Sequence, residues 1–163
     1  MTRSQARGPG TEPARESPPA ALADRLGFLL KHAYLAYQSM QTPALAPLGL
    51  DGRLLAVLTL VEAEGPALQQ RLSERLRVDR TTMVALVDAL ERNKLVERRR
   101  DPVDRRGYQV RITKRGAEAL LQGHRAVRTV EQALLGELSD EEQRQLRSLL
   151  GRVVLAPVGH PSG

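Results

Sequence analysis

From Ala21 onward, apolar residues recur at three- and four-residue steps: Leu22, Leu26, Leu29, Ala33, Ala36 or Tyr37, and Met40. Leu30 and Tyr34 widen this stripe, and a helix with so broad an apolar face is expected to be buried on more than one side. The stretch TPALAPLGL (42–50) breaks the period with two prolines and a glycine and reads as a connection. Asp51 then stands as the N-cap of a helix through Leu54, Leu55, Leu58 and Val61, which Gly65-Pro66 ends. Two short helices follow. The first carries Leu68, Leu72 and Leu76; the second carries Met83, Leu86, Val87 and Leu90 behind an N-cap at Asp79, with Val78 and Met83 placed for a hydrophobic staple. Only Arg77, Val78 and Asp79 separate them.

After this pair the period drops to two. LVERRR (95–100) and GYQVRIT (107–113) have strand character, Tyr108, Val110 and Ile112 alternating with Gln109 and Arg111. Asp101-Pro102 between them favours a turn, because proline fixes its own φ and keeps the preceding residue out of the helical region. A two-stranded ribbon is predicted here. Helical spacing returns from about Lys114 to Glu137, and Ser139 opens a last helix with a capping box to Glu142; Leu146, Leu149, Leu150, Val153 and Val154 mark its expected buried stripe. Residues 1–20, rich in Pro, Gly, Ser, Arg and Glu, are expected to be disordered, and 158–163 to fray. The fold class is mainly α with a small β-hairpin.

Composition narrows the chemistry. The chain has 163 residues, 41 % apolar, with Phe28, Tyr34, Tyr37 and Tyr108 as its only aromatics, so leucine, valine and alanine must build the core. The absence of cysteine excludes disulfides, thiol catalysis and Cys-ligated zinc. No nucleophile elbow, P-loop, dinucleotide fingerprint or catalytic carboxylate pair is present, so enzyme activity is not expected. His32, His124 and His160 lack metal-ligand spacing, and no metal or cofactor is expected. No apolar run approaches the length of a membrane span; the chain is expected in the cytoplasm, away from membranes and on the nucleoid when bound to DNA.

The position of the charge says more than its total of +6. Between Glu91 and Arg115 lie ten basic and four acidic residues, so the ribbon and its flanks carry the entire surplus. That is the electrostatic footprint of a polyanion binder. QQRLSERLRVDRTTMVALVD (69–88) reads as a helix-turn-helix, with Ser73 as the small residue where the helices cross and Arg77 at the turn. Its second helix presents Arg80, Thr81, Thr82 and Ala85 outward near a positively polarised N-terminus, suited to phosphates and base edges. Arg98, Arg99, Arg100, Arg105 and Arg106 are the candidate DNA contacts of the ribbon. Asp104 is expected to aim Arg106, since a carboxylate turned toward phosphate would repel it. His32, Tyr34 and Tyr37 are candidates to line a ligand pocket.

The run from Gly65 to Gly116 resembles the winged helix-turn-helix core of the multiple-antibiotic-resistance regulator (MarR) family. The resemblance rests on Leu-Val-x-Arg at Leu95, Val96 and Arg98, on Asp104-x-Arg106, and on Ile-Thr-x-x-Gly at Ile112, Thr113 and Gly116. It implies a single domain over 21–157, with a winged helix-turn-helix at about 51–113 and dimerisation helices at about 21–41 and 114–155. It further implies a homodimer on a palindromic operator in double-stranded DNA, usually repressing, often released by a small aromatic or phenolic effector, with Arg106 in the minor groove. Two departures stand out. Asn93-Lys94 occupies the place of a common glycine, so the helix is expected to end through Asn93 in the left-handed region; and Val84-Ala85 replaces a frequent Thr-Arg pair, leaving base readout to Arg80, Thr81 and Thr82. Outside this resemblance, the basic surface also fits a non-specific architectural DNA-binding protein or a winged helix that meets an acidic protein.

Overall fold

In the computed structural model, residues 19–101 and 108–155 are described. Nearly all of the expected disordered N-terminal segment, the ribbon tip with Asp104, Arg105 and Arg106, and the expected frayed end lie outside them. The chain divides into two units, the first ending at Tyr34 and the second beginning at Leu35.

The first unit holds a 3-10 turn, Ala20–Leu22, and the first half of helix α1 (Leu26–Leu45). Phe28 stacks on His32 there, with ring centroids 3.8 Å apart. Leu26, Leu29, Leu30 and Tyr34 are all exposed. The expectation of a helix buried on several sides is therefore wrong for a single chain: periodicity reveals an apolar face but not what covers it.

The second unit starts at Leu35. Helix α1 runs on through Pro43 to Leu45, where a connection was expected. A proline this late removes one intrahelical bond, and burial of Leu45 in the core anchors the last turn. A 3-10 turn, Ala46–Leu48, and a left-handed Gly49 lead to Asp51, whose carboxylate accepts from the amides of Arg53 and Leu54 at 2.8 Å and caps helix α2 (Gly52–Glu64). Helix α2 is the centre of the core. Its Leu54, Leu55, Val57, Leu58 and Val61 are buried, and it packs on helices α3 (Gln69–Leu76), α4 (Arg80–Arg92) and α5 (Lys114–Leu134).

The ribbon is a three-stranded antiparallel sheet, not two-stranded: β1 (Ala67–Leu68) pairs with β3 (Tyr108–Ile112), which pairs with β2 (Val96–Arg100). Strand β1 is too short to alternate visibly, and the apolar Leu68 reads as the start of the following helix; in the structure Ala67 pairs with Val110 and both are buried. Register sets Val96, Arg98 and Arg100 opposite Ile112, Val110 and Tyr108. Those residues share one face, and Glu97, Arg99, Gln109 and Arg111 share the other.

Two reversals use the same device. At Arg77 (φ 51°) the amides of Arg77 and Val78 bond back to the carbonyls of Glu74 and Ser73; at Lys94 (φ 59°) the amides of Lys94 and Leu95 bond back to those of Glu91 and Leu90. Both are Schellman motifs closed by a residue other than glycine. The left-handed residue after α4 is thus Lys94 and not Asn93, which keeps φ at −80° and donates its side-chain amide to the Gly49 carbonyl at 2.9 Å. Helix α6 (Asp140–Leu155) starts with the expected capping box, the Ser139 amide lying 2.8 Å from Glu142 Oε2. Its expected buried stripe is open in the single chain, Leu149 being 55 % and Val153 66 % exposed.

Candidate nucleic-acid interface

Asp79 organises the start of α4. Its carboxylate accepts from the Thr82 amide at 2.8 Å and from the Thr82 hydroxyl at 2.5 Å, and these two bonds, the hydroxyl first, hold the carboxyl below its ordinary pKa. Met83, Leu86, Val87 and Leu90 face the core, while Arg80, Thr81, Val84, Ala85 and Asp88 form the exposed face. Arg80 and Thr81 stand where the sequence placed them. Thr82 does not: it is half-buried and its hydroxyl proton is committed to Asp79, so toward a base it can only accept.

The three arginines of β2 have different surroundings. Arg99, on the outer face, pairs with Glu97 at 2.6 Å and is largely open, and Arg100 is exposed opposite Tyr108. Arg98 lies on the inner face and reaches α4. Its Nη2 is 2.5 Å from Asp88 Oδ1, its Nη1 pairs with Glu91 Oε2, and its backbone amide donates to Glu91 Oε1. Partial burial pushes the Arg98 guanidinium down in pKa, but the hydrogen bonds and charges of Asp88 and Glu91 outweigh it and leave the group above its ordinary value. Arg98, expected as a phosphate contact, instead clamps the ribbon to α4. No spacing rule predicts this, because its partners belong to another element.

Behind the clamp, Thr113 joins the ribbon to α5. Its hydroxyl donates toward the Lys94 carbonyl at 2.8 Å and accepts from the Gly116 amide at 3.0 Å. A Cβ on Gly116 would overlap the Leu95 carbonyl, which accounts for the Ile-Thr-x-x-Gly spacing.

A separate cavity of about 480 Å³ is lined by Tyr37 and Gln41 of α1, Leu55, Ala56 and Thr59 of α2, Leu76 at the end of α3, and His124 and Val127 of α5, among others. Gln41 Nε2 donates to Tyr37 Oη at 2.6 Å. Thr59 gives its one proton to the Leu55 carbonyl at 2.8 Å, so its oxygen accepts from His124 Nε2 at 3.0 Å. Of the three ligand candidates only Tyr37 lines this cavity. Tyr34 is open to solvent, and His32 stacks on Phe28 with Nδ1 2.9 Å from the Phe28 carbonyl. Gln41 was legible as the neighbour of Tyr37 one helical turn on; the Thr59–His124 pair, 65 residues apart, has no local signature. Among the described residues no His, Asp or Glu cluster is placed to hold a metal, and no single helix is long and apolar enough to cross a membrane.

Residues 53–108 match the sequence model of the MarR family. A transcriptional regulatory protein assigned to the hcr operon of Thauera aromatica is 32 % identical over 135 residues, covering 82 % of this chain and 81 % of that protein. The chain belongs to the MarR family. It is therefore a transcriptional regulator and not an enzyme, and its fold is the family's winged helix, with α3 and α4 as the helix-turn-helix and β2 and β3 as the wing. The transcriptional repressor CouR of Rhodococcus jostii RHA1, solved on a 23-mer DNA duplex, is 30 % identical with a TM-score of 0.78, covering 85 % of this chain and 99 % of that one. CouR bound to p-coumaroyl-CoA gives 27 % identity and a TM-score of 0.73 over 87 % of this chain and 100 % of that one. A variant of Escherichia coli MarR complexed with operator DNA is 27 % identical, TM-score 0.73, covering 85 % of this chain and 99 % of that one.

Proposed function

We propose that this MarR-family regulator is a ligand-responsive repressor that binds a palindromic operator as a homodimer. The observation that carries the reading is the clamp: Arg98 fastens the wing to α4, so that Arg80 and Thr81 on the helix and Arg100 on the same face of the wing form one surface, with Arg99 on the wing's other face. On that surface α4 reads base edges in the major groove, and the arginines of the wing, Arg105 and Arg106 included, hold phosphates and the adjoining minor groove, with Asp104 aiming Arg106. The exposed apolar residues along α1 and, separately, along α6 support dimerisation, since such stripes are commonly covered by a partner. The α1–α2–α5 cavity supports a small aromatic or phenolic effector; Leu76 lines it and is also the last residue before the helix-turn-helix bend, so an occupant touches the DNA-binding unit directly. The likeness to CouR, solved both on DNA and with an acyl-CoA, points the same way.

Competition titration tests the reading: the duplex upstream of the regulator's own gene against bulk DNA, at one fixed salt concentration. A specific site binds on the order of a thousandfold or more tighter than bulk DNA. Equal affinity for both would make the protein an architectural DNA binder, and no affinity for either would leave a protein-interaction module.

A further inference from the structure

The middle of the exposed α4 face is apolar. Val84 is 40 % exposed and Ala85 is exposed beside it, one turn beyond Arg80 and Thr81 and one turn before Asp88. The core side of the helix is already filled by Met83, Leu86, Val87 and Leu90, and the Val84 isopropyl group is left part-exposed on the opposite side. Asp88, the next residue along this face, is drawn toward the wing by its 2.5 Å bond to Arg98, which offsets its charge. A helix entering the major groove with this face meets base edges with methyl groups where a family member with Thr-Arg would offer hydrogen bonds. Neither Val84 nor Ala85 can make the two-pronged contact that identifies guanine or adenine. One base presents an apolar group in that groove: thymine, through its C5 methyl.

We propose that Val84 and Ala85 are specificity determinants that select thymine at one or two central positions of each half-site by methyl–methyl contact, while Arg80 and Thr81 supply the hydrogen-bonded part of the readout. This rests on the operator-binding reading above and assigns the bases that reading leaves open.

The test uses the full-length protein and a chemical edit of the DNA. Duplexes are selected from a random-sequence pool, and in the winning duplex each half-site thymine is replaced in turn by deoxyuridine, which removes the C5 methyl and keeps every hydrogen-bonding group. Burying one methyl predicts affinity about three- to fivefold weaker per half-site at the contacted positions, and no change elsewhere. Val84→Ala, a change at an exposed position that the fold tolerates, should abolish the uracil effect at one of them, and Val84→Thr, which keeps a methyl, should preserve it. Cytosine replaced by 5-methylcytosine should recover affinity at a position where thymine-to-cytosine exchange has weakened it. Selected duplexes without thymine in the half-site core, or uracil tolerated at every position, overturn the inference and leave operator binding standing. Uracil sensitivity that persists in Val84→Ala overturns the role of Val84. A pool that yields no preferred duplex overturns both readings.

Discussion

Replacing Arg98 by alanine separates two kinds of arginine on one wing. The side chain is 20 % exposed and is held by Asp88 and Glu91, which are themselves 50 % and 41 % exposed. Solvent screens such pairs, so each contributes about 0.5–1 kcal/mol and the clamp about 1–2 kcal/mol in all. For a chain of this size, that lowers the thermal midpoint by about 3–6 °C. The effect on DNA differs from losing a phosphate contact. Arg98 is committed to α4, so its removal releases no counterion. It loosens the wing and leaves Asp88 and Glu91 unpaired, so affinity and the thermal midpoint should fall together. Arg100→Ala, by contrast, removes one phosphate contact per protomer; the plot of log affinity against log salt should become shallower by about 1.8 for the dimer, with the thermal midpoint unchanged. Titration of one duplex over a salt series with the wild type and both variants, alongside thermal denaturation, decides the matter. A flattened slope and an unchanged midpoint for Arg98→Ala would refute the clamp. Arg98→Lys keeps the charge without the fork and should fall between wild type and alanine in stability.

Lys94→Gly relieves a left-handed residue that carries a side chain, and should stabilise the protein by about 0.5–1 kcal/mol in chemical denaturation without changing the denaturant slope. Asp79 and Glu142 both have lowered pKa values, each held first by a hydroxyl, of Thr82 and Ser139 respectively, and then by the amide of the same residue. A folded-state pKa below the unfolded one adds stability above the unfolded value, near 4, that is lost as pH falls through the folded value. The advantage of wild type over Asp79→Asn or Glu142→Gln, followed as thermal midpoint against pH, should therefore hold at neutral pH, begin to decline near pH 4 and be gone once pH has fallen through the folded value; an advantage that grows on acidification contradicts these caps. Leu149→Asp with Val153→Asp puts charge on the open face of α6 and should convert a dimer to a monomer by sedimentation, whereas a wild type already monomeric at micromolar concentration removes the basis of the homodimer.

The features legible in the sequence are those whose cause is local. Asp51, Asp79 and Ser139 each cap a helix within three residues of themselves, and spacing alone locates them. The alternation of Tyr108, Val110 and Ile112 gives the strand and its inner face. What escaped depends on a distant partner. Strand β1 exists because Ala67 meets Val110; Arg98 is a clamp because Asp88 lies ten residues back on another element; and Thr59 finds His124 across two packed helices. The left-handed position after α4 fell one residue late because Asn93, the better intrinsic candidate, is engaged by the Gly49 carbonyl. The apolar stripes of α1 and α6 were legible as stripes and are open in the single chain, since a repeating pattern carries no information about what covers it.

The Thr113 hydroxyl makes the wing a lever with its fulcrum at the root of α5. It ties together the chain leaving α4 and the first turn of α5, at the end of a strand pair five residues long. At about 3.4 Å per residue that arm extends roughly 17 Å to Arg100, so a tilt of about 5° at its base displaces the far end by about 1.5 Å. Hydrogen bonds to phosphate tolerate a few tenths of an ångström. In the operator-binding reading proposed above, a small rotation of α5 that carried α4 and the Arg98 clamp with it would thus suffice to take the wing off phosphate, with no visible change of shape.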